Sequence, residues 1–324
     1  MIKRLLLTAV AAIVVAGAAR AETWPTRPVT MVVPFAAGGP TDVVGRIMAQ
    51  SLSDILKQQV IVENVGGAGG MVGAQRVATA RPDGYQVLLG TVGTQAYNQS
   101  LYKKPLYDAE KDFTPVVLVA DQPLVLVVRK DMPVANLKEF AAYAKTHNPK
   151  LSFGSGGAGS STHLGCVLLN SALGIDAQHV PYHGSAPALQ DLMAGRIDYL
   201  CDAVSTELPQ IKAGTVKPIA ILSKQRSPVL PDVRSAKDEG LANLDANNWI
   251  GLFFPKGTPE PIVVRLRDAT VQAMKSPAVR SSMEKIGTDL VAPDRTSPAY
   301  LKQFVASEIK KWATPIKASG VVVE

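Results

Sequence analysis

The chain has 324 residues, 47% of them hydrophobic and 6% aromatic, with 34 Lys and Arg against 27 Asp and Glu for a net charge of +7. Residues 1–21 hold Lys3, Arg4 and Arg20 and no acid, so the rest of the chain keeps only +4, spread without a basic block. This excludes a nucleic-acid binder, which shows a clustered basic stripe, and the length exceeds one core and predicts two domains.

At the N-terminus, Lys3 and Arg4 precede an apolar run from Leu5 to Ala19, followed by Ala19-Arg20-Ala21. A spanning helix needs about 20 apolar residues, and this run is shorter. The pattern reads as a secretory signal cleaved near Ala21, with the mature protein beginning near Glu22 in the periplasm. An anchoring N-terminal helix is the alternative.

From there a strand-then-helix theme repeats. Val29–Phe35 is strand-like, and Asp42–Leu56 carries Val43, Val44, Ile47, Met48, Leu52 and Ile55 at helical spacing. Val60–Val65 is a strand, Val72–Ala80 a helix, Arg81–Gly84 a turn and Tyr85–Leu89 a third strand. The theme then recurs: a strand at Pro123–Val128, a helix about Phe140–Ala144, a strand at Leu151–Gly154 and a helix at His163–Leu173. Next come His179–Tyr182 as a strand, Ala186–Ala194 as a helix, and strands at Ile197–Asp202, Pro218–Leu222 and Trp249–Phe254. Three helical stretches close the chain, at Pro261–Met274, Ala278–Ile286 and Ser297–Trp312.

Such alternation predicts an α/β fold with parallel sheets. Two α/β units, the second inserted into the first, explain the order. Lobe 1 comprises residues 22–122 and 248–324, and lobe 2 residues 123–247. Strands about Pro123–Arg129 and Asn248–Pro255 make the two crossings. A double crossing makes a hinge, and a hinge between lobes makes a cleft. Cys166 falls on a helix and Cys201 at a strand end, where an oxidising compartment favours a disulfide over two buried free thiols.

Four loops share a composition rich in Gly, Ala, Ser and Thr: Ala36–Asp42, Thr91–Thr94, Gly154–His163 and Cys201–Thr206. Ligands of open α/β sheets bind at the carboxyl ends of strands, and helix N-termini offer free N–H groups that suit anions. The expected ligand is a small anion held mostly by main chain. Taken singly, each loop could be a strand-to-helix turn, and Asp42 a helix cap; Asp202 could orient a ligand hydroxyl or amine.

Other chemistries fit less well. Gly154–Gly159 matches G-x-G-x-x-G, but the acid expected after the next strand is replaced by His179-Val-Pro-Tyr-His183, so no cofactor is expected. His179 and His183 flank Pro181 and cannot form a helical metal pair; no metal is expected. A secreted serine hydrolase using Ser160 or Ser161 with His163 is the alternative function, though the chain lacks G-x-S-x-G.

Pro28–Asp42 resembles the opening of the Bug (Bordetella uptake gene) receptors, the substrate-binding components of tripartite tricarboxylate transporters. The resemblance continues through Gly67–Gly70, Ala80–Tyr85, His179–Ala188 and Trp249–Pro259. It implies a two-lobed periplasmic binding protein of the type II flytrap kind, not an enzyme. A small carboxylate would be the ligand: a di- or tricarboxylate, an acidic amino acid or an aromatic acid. Membrane transporter subunits would be the partners, and the receptor a monomer. By resemblance Ala37, Gly38, Gly39 and Asp42 form one half of the carboxylate clamp, and Ser155, Ser160, Ser161, Thr162 and His163 the other. Thr91, Thr94, Asp202 and Ala203 would lie nearby. Two positions depart from the family: Val65-Gly66 where Arg-Pro is usual, and His183 where Lys is usual.

Overall fold

The computed structural model describes residues 24–147, 150–318 and 323; the signal-sequence expectation for residues 1–21 lies outside them. The first lobe opens with β1 (Val29–Val33), α1 (Pro40–Leu56), β2 (Val60–Asn64), α2 (Met71–Ala78) and β3 (Gln86–Thr91). β1 lies between β2 and β3, parallel to both, and its valines are buried, as in a sheet covered on both faces. Pro40 occupies the first turn of α1, where the missing N–H costs nothing.

A π-helical turn at Gly93–Tyr97 and the short α3 (Asn98–Leu101) lead to β4, which runs from Phe113 to Arg129. The sequence reading began this strand only at Pro123. Pro115, which cannot donate to a ladder, breaks the pattern there and sits at a register shift. β4 serves both lobes. Its first part, Phe113–Pro123, pairs with β9 (Asn247–Pro255), which lies between it and β3.

Its last part pairs with strands of the second lobe. That lobe contains α4 (Leu137–Thr146), β5 (Ser152–Ser155), α5 (Ser161–Leu173), β6 (Gln178–Pro181) and α6 (Ser185–Met193). β7 (Tyr199–Ala203), α7 (Val204–Lys212) and β8 (Val216–Ile221) complete it. β5 is parallel to β6 and β7, and β4 is antiparallel to β7 and β8. The chain returns beside β4, where Leu124 N–H donates to Ala246 O at 3.3 Å and Pro123 faces Asn247.

The side chains of β4 show the change of lobe. Val116–Ala120 belong to an apolar cluster shared with β1, β3, β9 and the C-terminal helices. Beyond Pro123 the strand alternates: Leu124, Leu126 and Val128 enter one cluster of the second lobe, Val125 and Val127 the other. That is the two-residue period of a strand covered on both faces. After β9 come α8 (Glu260–Lys275), α9 (Pro277–Lys285), the two-residue β10 (Asp289–Leu290) paired with β4, and α10 (Pro298–Ala318).

Cys166 on α5 and Cys201 on β7 are joined by a disulfide with Cα atoms 5.3 Å apart. At the lobe boundary a groove has one wall of Lys224, Arg226 and Asp245 and another of Trp249, Arg295 and Trp312. There the indoles of Trp249 and Trp312 both donate to Glu308 Oε2, at 3.0 and 2.9 Å. No helix among the described residues is long and apolar enough to cross a membrane.

Candidate functional site

Three helices begin at one place between the lobes. α1 starts after Gly39, its N-cap, in extended conformation. Ser160 caps α5, its hydroxyl accepting from His163 N–H at 3.2 Å and donating to Gly157 O at 2.7 Å. Gly184 precedes α6, whose first residue is Ser185. First-turn N–H groups have no acceptor inside their own helix, and the helix dipole places partial positive charge there.

These ends meet at a narrow pocket with about 10 Å³ of free space, room for about one water, lined by Phe35, Pro40 and Thr41 from the first lobe and Gly156, Ser160, Ser161, Thr162 and Ser185 from the second. The lining offers hydroxyls and backbone but no charged side chain. Such a lining, once parted, offers a small anion N–H and O–H donors that replace its hydration without competing carboxylates.

The lobes are closed around it. Ala36 N–H donates to His183 O at 3.1 Å, Tyr102 Oη donates to Ala158 O at 2.8 Å, and Leu164 of α5 packs into the apolar cluster of the first lobe. Gly69, at φ +61°, lies so close to the second lobe that a Cβ would stand 2.0 Å from Ala158 O.

Of the expected ligand residues, Ser160, Ser161 and Thr162 line the cavity. Others are engaged elsewhere. Ala37 and Gly38 are exposed, and Gly38 N–H, expected to greet the ligand, donates to Asp42 Oδ2 at 2.9 Å. Asp42 also accepts from Arg46 Nε and Asn64 Nδ2, each at 2.9 Å. Burial alone would raise its pKa, yet these donors together hold the carboxyl below the usual range. Asp42 therefore braces the α1 loop from within the first lobe and does not line the cavity. Thr91 and Thr94 satisfy each other, with Thr91 N–H donating to Thr94 Oγ1 at 2.9 Å.

His163 accepts from Gly159 N–H at Nδ1 (3.2 Å) and stacks on His179 at 4.0 Å between ring centroids. Burial, with His179 beside it, pushes the His163 pKa down to about 3, and burial pushes His179 down to about 4. Ser155 Oγ lies 2.6 Å from His179 Nε2 and accepts from Gly157 N–H at 3.1 Å. Both imidazoles thus stay neutral and hold the shape of the 155–163 loop. Ser160 spends its hydroxyl on capping, and the nitrogen His163 turns to this loop already accepts from Gly159, so the hydrolase constellation is not assembled. Asp202 Oδ1 accepts from Ala203 N–H at 2.7 Å, away from the cavity lining.

Sequence reasoning missed Phe35, Pro40, Thr41, Gly156 and Ser185 as lining residues. Helix-start signals could have found three of them: Pro40-Thr41 opens α1, and Ser185 follows Gly184 with Pro187 two residues on. Among the described residues no cluster of three or more His, Cys, Asp or Glu could hold a metal ion.

Residues 44–321 match the family model described as the tripartite tricarboxylate transporter family receptor. The periplasmic binding protein BugD has the same fold, with a TM-score of 0.90 and 39% identity, over 93% of this chain and 100% of that one. MatC from Rhodopseudomonas palustris, solved with bound malate, superposes with a TM-score of 0.87 and 41% identity over 90% and 100%. An R. palustris protein solved with adipate gives 0.88 and 33% over 92% and 99%.

Proposed function

The chain belongs to the tripartite tricarboxylate transporter family receptors, a family of solute-binding proteins rather than enzymes, and from that premise we propose that it captures a small dicarboxylate in the periplasm. It does so as a monomer, performs no chemistry on the acid, and delivers it to membrane transporter subunits. The observation that carries the reading is the cavity where α1, α5 and α6 begin, lined by hydroxyls and backbone and free of acids. Malate in MatC and adipate in the second R. palustris protein support the ligand class.

We assign residues 22–122 and 248–324 to the first lobe and 123–247 to the second. The switch of β4 partners after Pro123 and the return at Ala246 support this division. The hydroxyls of Thr41, Ser161 and Ser185 make the polar contacts with the acid, and Phe35 excludes water. Ligand binding populates the closed form.

Thermal unfolding against a panel of carboxylates that includes malate and adipate tests the proposal. A true ligand raises the melting temperature with concentration, by about 2.7 kcal/mol of stability at a hundredfold excess over Kd. Ser161→Glu, which puts a carboxylate into the cavity, removes the response while the fold remains. A panel without any response sinks the reading.

A further inference from the structure

Behind Ser185 the second lobe buries two carboxyl groups, Asp202 at the end of β7 and Glu207 in the first turn of α7, 1% and 0% exposed. Ala203 N–H serves Asp202 Oδ1 and the Ser185 hydroxyl faces the same carboxyl, while Glu207 has no donor outside the pair. Two ionised carboxylates side by side in such a place would cost many kcal/mol, so buried groups of this kind hold a proton instead. Burial, then the Asp202 charge, drives the Glu207 pKa well above the ordinary value. Burial pushes Asp202 up to about 6 against the Ala203 N–H and the Ser185 hydroxyl, which favour its charged form. The two carboxyls therefore share a proton, and burial makes them take up a second one at a higher pH than an ordinary carboxyl would.

Charged groups on the elements packed against the pair are occupied elsewhere. On α1, Asp42 pairs with Arg46. On β4, Asp121 pairs with Arg295 and Arg129 with Asp198. Lys217 of β8 donates to the carbonyls of Met132 and Val134, and Asp191 of α6 pairs with Arg196.

Two links tie the pair to the cavity. Ser185 lines the cavity and its hydroxyl also faces the Asp202 carboxyl. Gln122, 1% exposed at the crossing of β4, donates through Nε2 to Ser205 Oγ of α7 at 3.0 Å, to Thr288 Oγ1 at 3.3 Å and to Pro40 O at 3.4 Å. Its Oε1 accepts from Asn248 Nδ2 at 2.9 Å. The start of α7 is thus fastened to the first lobe next to Pro40 of the pocket lining.

We propose that capture of an anion in the cavity is coupled to uptake of a proton by the Asp202–Glu207 pair, making these two positioning residues that set how tightly the acid is held at a given pH. The inference rests on the receptor reading above. An anion one residue away, across Ser185 and with little water between, raises the proton affinity of the ionised carboxylate. By reciprocity a protonated pair binds the anion more tightly. Affinity rises by up to about tenfold for each pH unit lowered across the titration of the pair.

Isothermal titration of the protein with malate and with adipate at pH 6.5, in two buffers of different ionisation enthalpy, tests this. The expected result is uptake of a fraction of one proton per acid bound, beyond what remains in Asp202→Asn, whose affinity should be flat with pH. Glu207→Gln should likewise change the uptake while still binding. If either variant fails to fold, the wild-type heats decide alone: binding with buffer-independent heat overturns the coupling and leaves the receptor reading intact. Affinity that follows sodium instead of pH overturns it too. Absence of heat with both acids at every pH brings down the receptor reading, and the coupling with it.

Discussion

Tyr102 of the first lobe gives its phenol hydrogen to the carbonyl of Ala158 in the second, at 2.8 Å. The bond exists only while the Gly-rich loop is held against the first lobe, so it acts on closure and not on folding of either lobe. A net hydrogen bond contributes about 1 kcal/mol. Tyr102→Phe should weaken acid binding by about fivefold and leave the unliganded melting temperature nearly unchanged, as titration calorimetry and thermal unfolding would show together. Equal affinity in the variant would remove Tyr102 from the closing contacts.

Gly69 offers a harsher probe of the same contact. Its φ of +61° suits glycine, and an added Cβ would lie 2.0 Å from Ala158 O. Gly69→Ala should cost the open protein about 1–2 kcal/mol for the left-handed backbone, and should lower ligand affinity by more than tenfold because the lobes cannot meet. Affinity lost no further than stability would show that closing is unaffected.

The disulfide between Cys166 and Cys201 closes a segment with a sequence separation of 35. Loop-closure entropy for that length gives about 3–4 kcal/mol. The double variant Cys166→Ala with Cys201→Ala should therefore unfold at clearly lower denaturant, by about that amount. Small-scale denaturation with and without reductant measures it, and reductant should leave the double variant unmoved.

Histidines 163 and 179 make stability depend on pH in a defined direction. Their folded pKa values, about 3 and about 4, lie below the ordinary histidine value, so the unfolded chain binds more protons between them. Their contribution is complete above about pH 6.5 and declines as the pH falls towards 4. The Asp202 carboxyl, raised to about 6, acts in the opposite sense and adds stability as the pH falls through that value. Chemical denaturation between pH 4 and 7 should show a steeper loss in Asp202→Asn and a shallower one in His179→Gln. The reverse order would refute the assignment.

Much of the architecture was legible because alternation and punctuation coincide. Val29–Phe35, Val60–Val65 and Tyr85–Leu89 carry apolar runs bounded by Gly and Pro; the first two contain a strand and the third overlaps one that continues to Thr91. The first half of β4 was not legible, since Pro115 interrupts its pattern and Pro123 looks like a beginning. α7 was hidden by Pro209 and by Glu207, an ionisable residue in a fully buried position. At the site, composition pointed to loops that meet between the lobes, and Ser160, Ser161 and Thr162 of one of them line the pocket there. Which N–H groups stay free was beyond pattern reading. Whether Gly38 faces a ligand or Asp42 depends on a side chain folding back by four residues, which spacing does not reveal.

Trp249 and Trp312 share one acceptor, Glu308, in a groove whose facing wall belongs to the other lobe. Two of the three tryptophans in the chain are thereby placed where a change of lobe angle alters their polar surroundings. Emission from these indoles gives the molecule a native optical gauge of its own shape, readable in real time without any attached dye.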